Sequence, residues 1–193
     1  MCAVAGEHLE PCRGLLAEYE NRVEALSRAA MPGDVEFFVT VIPSFQPEWS
    51  VGVSVDNGQF FLTHVAFQPS LWRSSQVQTG PSTFGYDFQN PQVRTTAKTA
   101  TIGAELHEAL RSEWIRSIEG ARPSEGIALD GVTFKFQLSG RCGSAWSPAP
   151  ETSNRKLINL VMALALFADN KNDRSPATDE SVVLRKLQAL PPR

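Results

Sequence analysis

The chain has 193 residues, 42% hydrophobic and 20% charged, with a formal net charge of −3. That is enough chain to bury one core, so residues 1–193 are read as a single α+β domain. The mild acidity argues against a nucleic-acid binder that neutralises phosphates, because the nearest basic cluster is only Arg185 and Lys186.

In chain order, residues 8–30 carry Leu9, Cys12, Leu15, Leu16, Tyr19, Val23 and Leu26 at helical spacing. They predict an amphipathic helix stopped by Pro32-Gly33. Strands are expected across residues 34–67. Val35 to Ile42 is rich in β-branched and aromatic residues, and Pro43 ends it. Trp49, Val51, Val53 and Val55 then alternate with Ser50, Gly52 and Ser54. Asn57-Gly58 follows, the strongest short hairpin signal, because a type I′ turn needs positive φ at both central residues. Gln59 to Phe67 is the return strand.

Residues 68–100 change character. They hold Pro69, Pro81, Pro91, Gly80 and Gly85 among many Ser, Thr and Gln, and read as a long functional loop. Within it Phe84, Tyr86 and Phe88 alternate, as a short edge strand or an aromatic contact surface would. Residues 102–119 predict a second helix, with Ile102, Leu106, Leu110, Trp114 and Ile118 in one stripe and Thr101 as its cap. Residues 126–139 read as a second hairpin turning at Asp130-Gly131, and residues 140–150 as a loop containing Cys142. Residues 154–190 are expected to hold the C-terminal helices, one over 154–169 and a short one over 178–190, with a polar break from Asp169 to Pro176 between them. The first of these helices, capped by Thr152 or Ser153, is apolar nearly all round and so expected to be buried on most sides. The fold class is therefore α+β: a single antiparallel sheet of about five strands with two hairpins, packed by three to four helices.

Trp114 in its helix, Leu129-Asp130-Gly131-Val132-Thr133-Phe134, Gly143, Trp146-Ser147-Pro148, Ser153 and the Leu-rich helix form a further pattern. Over roughly residues 102–168 the chain resembles a broad group of uncharacterised bacterial proteins. The resemblance implies this element order and no particular chemistry.

Candidates for chemistry are few. Cys142, in Gly140-Arg141-Cys142-Gly143-Ser144, has an Arg beside it that could lower a thiol pKa. The simpler reading is a small residue filling a turn near Trp146. His64 lies on the return strand and His107 on the second helix, where Glu105 and Glu108 are near in sequence. No metal-ligand spacing or phosphate-binding loop occurs, so neither cofactor nor metal is expected. His107 is expected at the solvated side of its helix, and His8 is expected to be exposed. Cys2, Cys12 and Cys142 are odd in number and lack CxxC spacing. They fit reduced thiols in a cytoplasmic protein, or a Cys12–Cys142 disulfide in an exported one. No stretch approaches the roughly 18 apolar residues of a membrane span. Without a basic start and an apolar run at the N-terminus, a cytoplasmic location is expected. The alternative is an exported lipoprotein whose signal has been removed, with Cys2 lipidated.

Two functional readings result. The first is a non-catalytic bacterial binding module, immunity- or inhibitor-like, that recognises a protein partner through Trp72, Phe84, Tyr86, Phe88 and Trp146. A second copy of the chain is a further candidate partner. The alternative is a small hydrolase or thiol enzyme using Cys142 with His64 or His107, which requires sulfur and imidazole within hydrogen-bond reach.

Overall fold

A computed structural model describes residues 7–12, 16–123, 131–170 and 179–190. The elements in chain order are β1 (Glu10–Pro11), α1 (Ala17–Ala29), β2 (Asp34–Pro43), β3 (Trp49–Asp56), β4 (Gln59–Gln68), α2 (Leu71–Ser74) and β5 (Gln76–Gly80). They continue with β6 (Thr83–Tyr86), β7 (Arg94–Ile102), α3 (Ala104–Glu119), β8 (Val132–Leu138), β9 (Arg141–Trp146), α4 (Ser153–Asn170) and α5 (Glu180–Gln188). Seven strands make one antiparallel sheet in the order β1-β9-β8-β2-β3-β4-β7, and β5-β6 form a second, two-stranded sheet. The fold class is α+β as expected, but the main sheet has seven strands rather than about five and is not the only sheet.

Alternation on the central strands divides the core in two. On one face, Phe37, Val39 and Val41 of β2, Val51 and Val53 of β3, and Phe134, Phe136 and Leu138 of β8 pack under α3, α4 and α5. On the other, Phe38, Val65 and Phe67 pack against Tyr19 and Val23 of α1. Ser50 and Ser54, the small alternating set of β3, are therefore buried rather than solvated. Gly52 lets this second layer approach closely. A Cβ there would lie 2.4 Å from Phe38 Cβ and 3.0 Å from Met31 Sδ.

The β3–β4 hairpin turns at Asn57 (φ 49°) and Gly58 (φ 77°), as the Asn-Gly pair predicts. The second hairpin is displaced from its expected place. It joins β8 to β9 through Ser139 (φ 46°) and Gly140 (φ 78°), so residues 141–146 form a strand rather than a loop. The expected lead-in at 127–129 and Asp130 lie outside the described residues.

Four more expectations are corrected. The first helix starts at Ala17, not residue 8. Leu9 is buried in the α3–α4 layer, whereas Tyr19 and Val23 lie in the opposite layer, so the chain changes faces between them. One continuous helix cannot do that. Residues 68–100 are not one long loop, because they contain α2, β5, β6 and most of β7. Ile102 ends β7, and Gly103 rather than Thr101 is the N-cap residue of α3. Finally, α4 leaves Met162 and Leu166 exposed, so it is covered on fewer sides than its composition suggested. No helix among the described residues is long and apolar enough to cross a membrane.

Cys12 and Cys142 are joined by a disulfide with a Cα–Cα distance of 5.7 Å. The register pairs Glu10 with Ser144 and Pro11 with Gly143, and the next pair along is Cys12 with Cys142. The bond thus fastens β1 to the sheet where the chain turns from one face to the other. Cys2 lies outside the described residues.

Candidate functional site: an aromatic face on a small hairpin

The short β5–β6 sheet lies outside the main sheet, and its placement depends on one buried carboxylate. Glu48, just before β3, is only 1% exposed. Burying a carboxylate is costly unless donors replace its hydration. Here four donors do so. Oε1 accepts from Tyr19 Oη, from Ser70 Oγ at 3.0 Å and from the Trp72 amide at 3.1 Å, and Oε2 accepts from the Leu71 amide at 2.8 Å. The carboxylate therefore satisfies amides at the start of α2, whose N-terminal donors have no partner inside the helix. Ser70 caps α2 as well. Burial, and next the Glu48 carboxylate, push the Tyr19 hydroxyl well above its ordinary pKa, so it stays a protonated donor.

Trp72 is thereby fixed by its own backbone. Its ring meets Tyr19 edge-on at 5.2 Å and packs against Tyr86 at 4.3 Å and Phe88 at 5.8 Å. Tyr86 and Phe88 are parallel at 5.7 Å. Contacts of this kind add to simple area burial. The hairpin register pairs Gln76 with Tyr86 and Gln78 with Phe84, which places these four side chains on one face. Asp87 accepts from the Gln89 amide, which lowers its pKa, and Gln89 bonds Glu18 and Arg22 of α1. Above this base, Phe84 is 60% exposed and Tyr86 45%, while Val77, opposite Gly85, is on the other face of the hairpin. No charged residue occurs from Ser74 to Tyr86.

The sequence-selected residues divide accordingly. Trp72, Tyr86 and Phe88 meet in one cluster, with Phe84 two positions from Tyr86 on the same strand. Phe88 is buried beneath the face and Trp72 is half-buried, so the solvent-facing part is Phe84 with Tyr86. Trp146 lies apart, on β9, where it packs over Gly131. Glu48 and Tyr19, which hold the cluster, were not singled out from sequence. Their link spans 29 residues and leaves no local signal.

Compared with known proteins, the chain matches no family model, no curated protein and no solved structure.

The residues of the alternative reading are not brought together. Cys142 is on β9 and His64 on β4, four strand positions away across β8, β2 and β3, or about 19 Å at the usual strand spacing. The Cys142 sulfur is bonded to Cys12. His64 Nδ1 lies 2.9 Å from Asp169 Oδ1, with Trp49 edge-on to its ring. His107 is buried, not solvated. Its Nε2 lies 2.7 Å from Glu36 Oε2, and its ring stacks on Phe60 at 3.9 Å. Its Nδ1 faces Glu108 at 3.4 Å, while Glu105 takes no part in these pairs. His8 is half-buried rather than exposed. Among the described residues no group of three or more His, Cys, Asp or Glu converges as metal ligands would. An open groove of about 490 Å³ at the end of α3 is lined by His8, Ile115, Arg116, Glu119 and Arg122. Arg116 pairs with Glu113, and Glu119 with Arg141, so these charges answer one another.

Proposed function

We propose that this protein is a non-catalytic binding module that recognises a protein partner through Phe84 and Tyr86. The observation that carries this reading is the exposure of two aromatic rings on an uncharged hairpin, seated on a packed base of Trp72, Phe88 and Tyr19. Aromatic side chains dominate the energetics of protein interfaces, and Tyr86, whose ring is already packed on Trp72 and Phe88, loses little entropy on binding. Glu48 contributes by fixing the backbone of Trp72, so the face exists before a partner arrives. An immunity- or inhibitor-type role would use it by covering a working surface of the partner.

The Cys12–Cys142 bond supports an oxidising compartment, where such bonds persist. The reading of the exported alternative therefore belongs with this proposal.

A photo-crosslinking residue placed at Phe84 tests the proposal in cells that naturally make the protein. The control carries the same group at Phe45, another exposed aromatic residue. A discrete protein adduct from position 84 and none from position 45 is expected. Equal labelling from both positions, or none from either, would overturn the reading.

A further inference from the structure

β7 is one end of the main sheet, and its outer edge carries a specific pattern of backbone groups. In an antiparallel ladder, alternate residues bond to opposite neighbours. The Phe67 amide donates to the Glu48 carbonyl at 3.1 Å, on the β3 side, so odd-numbered residues of β4 bond towards β3. Even-numbered ones bond towards β7, where Ala66 pairs with Thr96, His64 with Lys98 and Leu62 with Ala100. It follows that Thr95, Ala97 and Thr99 of β7 direct their N–H and C=O groups outwards. Among the described residues no backbone group meets these three from outside. Ala97 and Thr99 are also exposed.

We propose that this edge pairs antiparallel with the same edge of a second copy of the chain, in the register that places Ala97 opposite Ala97. This interface is separate from the aromatic face. In that register Thr95 faces Thr99 of the other copy, giving three bonded pairs and about six N–H···O=C bonds. The outward row is short and uncharged, so it is complementary to itself, as a two-fold interface requires. Cross-strand Thr pairs add further contacts.

Lys98 decides the register. Centring the pair on Lys98 would set two ammonium groups directly opposite, which is destabilising. Centring it on Ala97 sets each Lys98 opposite Thr96 instead. Each ammonium also keeps its own carboxylate, since Lys98 Nζ lies 3.7 Å from Asp169 Oδ1. A Lys in mid-strand blunts many edges. Here it points over the helical face, the side on which His64 and Asp169 lie, while the outward row stays clear. The opposite end of the sheet, β1, has only two residues and offers no comparable edge.

The test is sedimentation of the full chain from low micromolar to about 0.5 mM, together with amide hydrogen exchange. Mass should double with concentration. The amides of Thr95, Ala97 and Thr99 should slow in step, while those of Thr96, Lys98 and Ala100 are protected throughout. Ala97→Pro should remain monomeric with unchanged circular dichroism, because proline is tolerated where the amide faces away from the sheet. If that variant fails to fold, the exchange pattern of the natural chain decides alone. A monomer at every concentration with fast odd-numbered amides would overturn the proposal, as would a dimer that survives Ala97→Pro. Protection independent of concentration would also overturn it, by assigning the edge to the chain's own residues 171–178.

Discussion

Replacing both bonded cysteines, Cys12→Ser with Cys142→Ser, should be among the most destabilising changes that leave both cores intact. The crosslink joins residues 130 apart in sequence. In the chain-entropy account a loop of that length removes about 17 cal/mol/K from the unfolded ensemble, or about 5 kcal/mol at 25 °C. For a chain of this size each kcal/mol moves Tm by roughly 2–4 °C, so a fall of about 10–20 °C is expected. The folded state should change little beyond β1, which would be held by two strand pairs and by buried Leu9. The assay is calorimetry of the natural chain and the double variant, with thiol titration after unfolding without reductant. With three cysteines in the chain and two of them bonded, the natural protein should show no more than one reactive thiol: Cys2 where it is free, and none where Cys2 carries lipid. Three thiols, or Tm values that coincide, would refute the reasoning.

Other outcomes follow from the same contacts. Glu48→Ala strands four buried donors and should cost about 3–5 kcal/mol in urea unfolding, with Glu48→Gln costing less because one acceptor survives. Tyr19 has a folded pKa raised above its unfolded value, so its contribution is complete below about pH 10 and is lost as pH rises further. Stability should therefore fall above pH 10 by up to about 1.4 kcal/mol per pH unit from this group, and Tyr19→Phe should remove that slope. Gly52→Ala places a methyl group 2.4 Å from Phe38 Cβ and should cost about 1–3 kcal/mol, read as a lower denaturation midpoint.

The legible parts of the fold were those whose signals are local. Asn57-Gly58 between alternating strands marked the β3–β4 hairpin, and the stripe through Leu106, Leu110 and Trp114 marked α3. Ser139-Gly140 adopts nearly the same turn but was masked by Asp130-Gly131, a stronger turn pair just upstream. Strand β9 follows it with small residues, and Gly143 is small for a tertiary reason, since a Cβ there would lie 2.9 Å from Leu9 Cδ1. β7 went unread because an edge strand needs little apolar surface, and its Thr, Lys and Arg resemble loop composition. The apparent helical period from Leu9 to Val23 joined residues that pack on opposite faces of the sheet. His107 looked solvated because its burial comes from Phe60 and Glu36, distant in sequence. For the candidate site, the alternation of Phe84, Tyr86 and Phe88 and the place of Trp72 just after the first hairpin were the local signals. The Glu48 carboxylate that orders them is visible only once β3, α1 and α2 are assembled.

The central claim is that Phe84 and Tyr86 carry partner binding. Its most direct measurement is titration calorimetry of the partner captured at position 84 against the natural chain and the Phe84→Ala, Tyr86→Ala double variant. Truncating two anchor rings should cost at least about 2 kcal/mol, a weakening of Kd of roughly 30-fold, with Tm unchanged within a few degrees. A Kd within twofold of that of the natural chain would contradict the account.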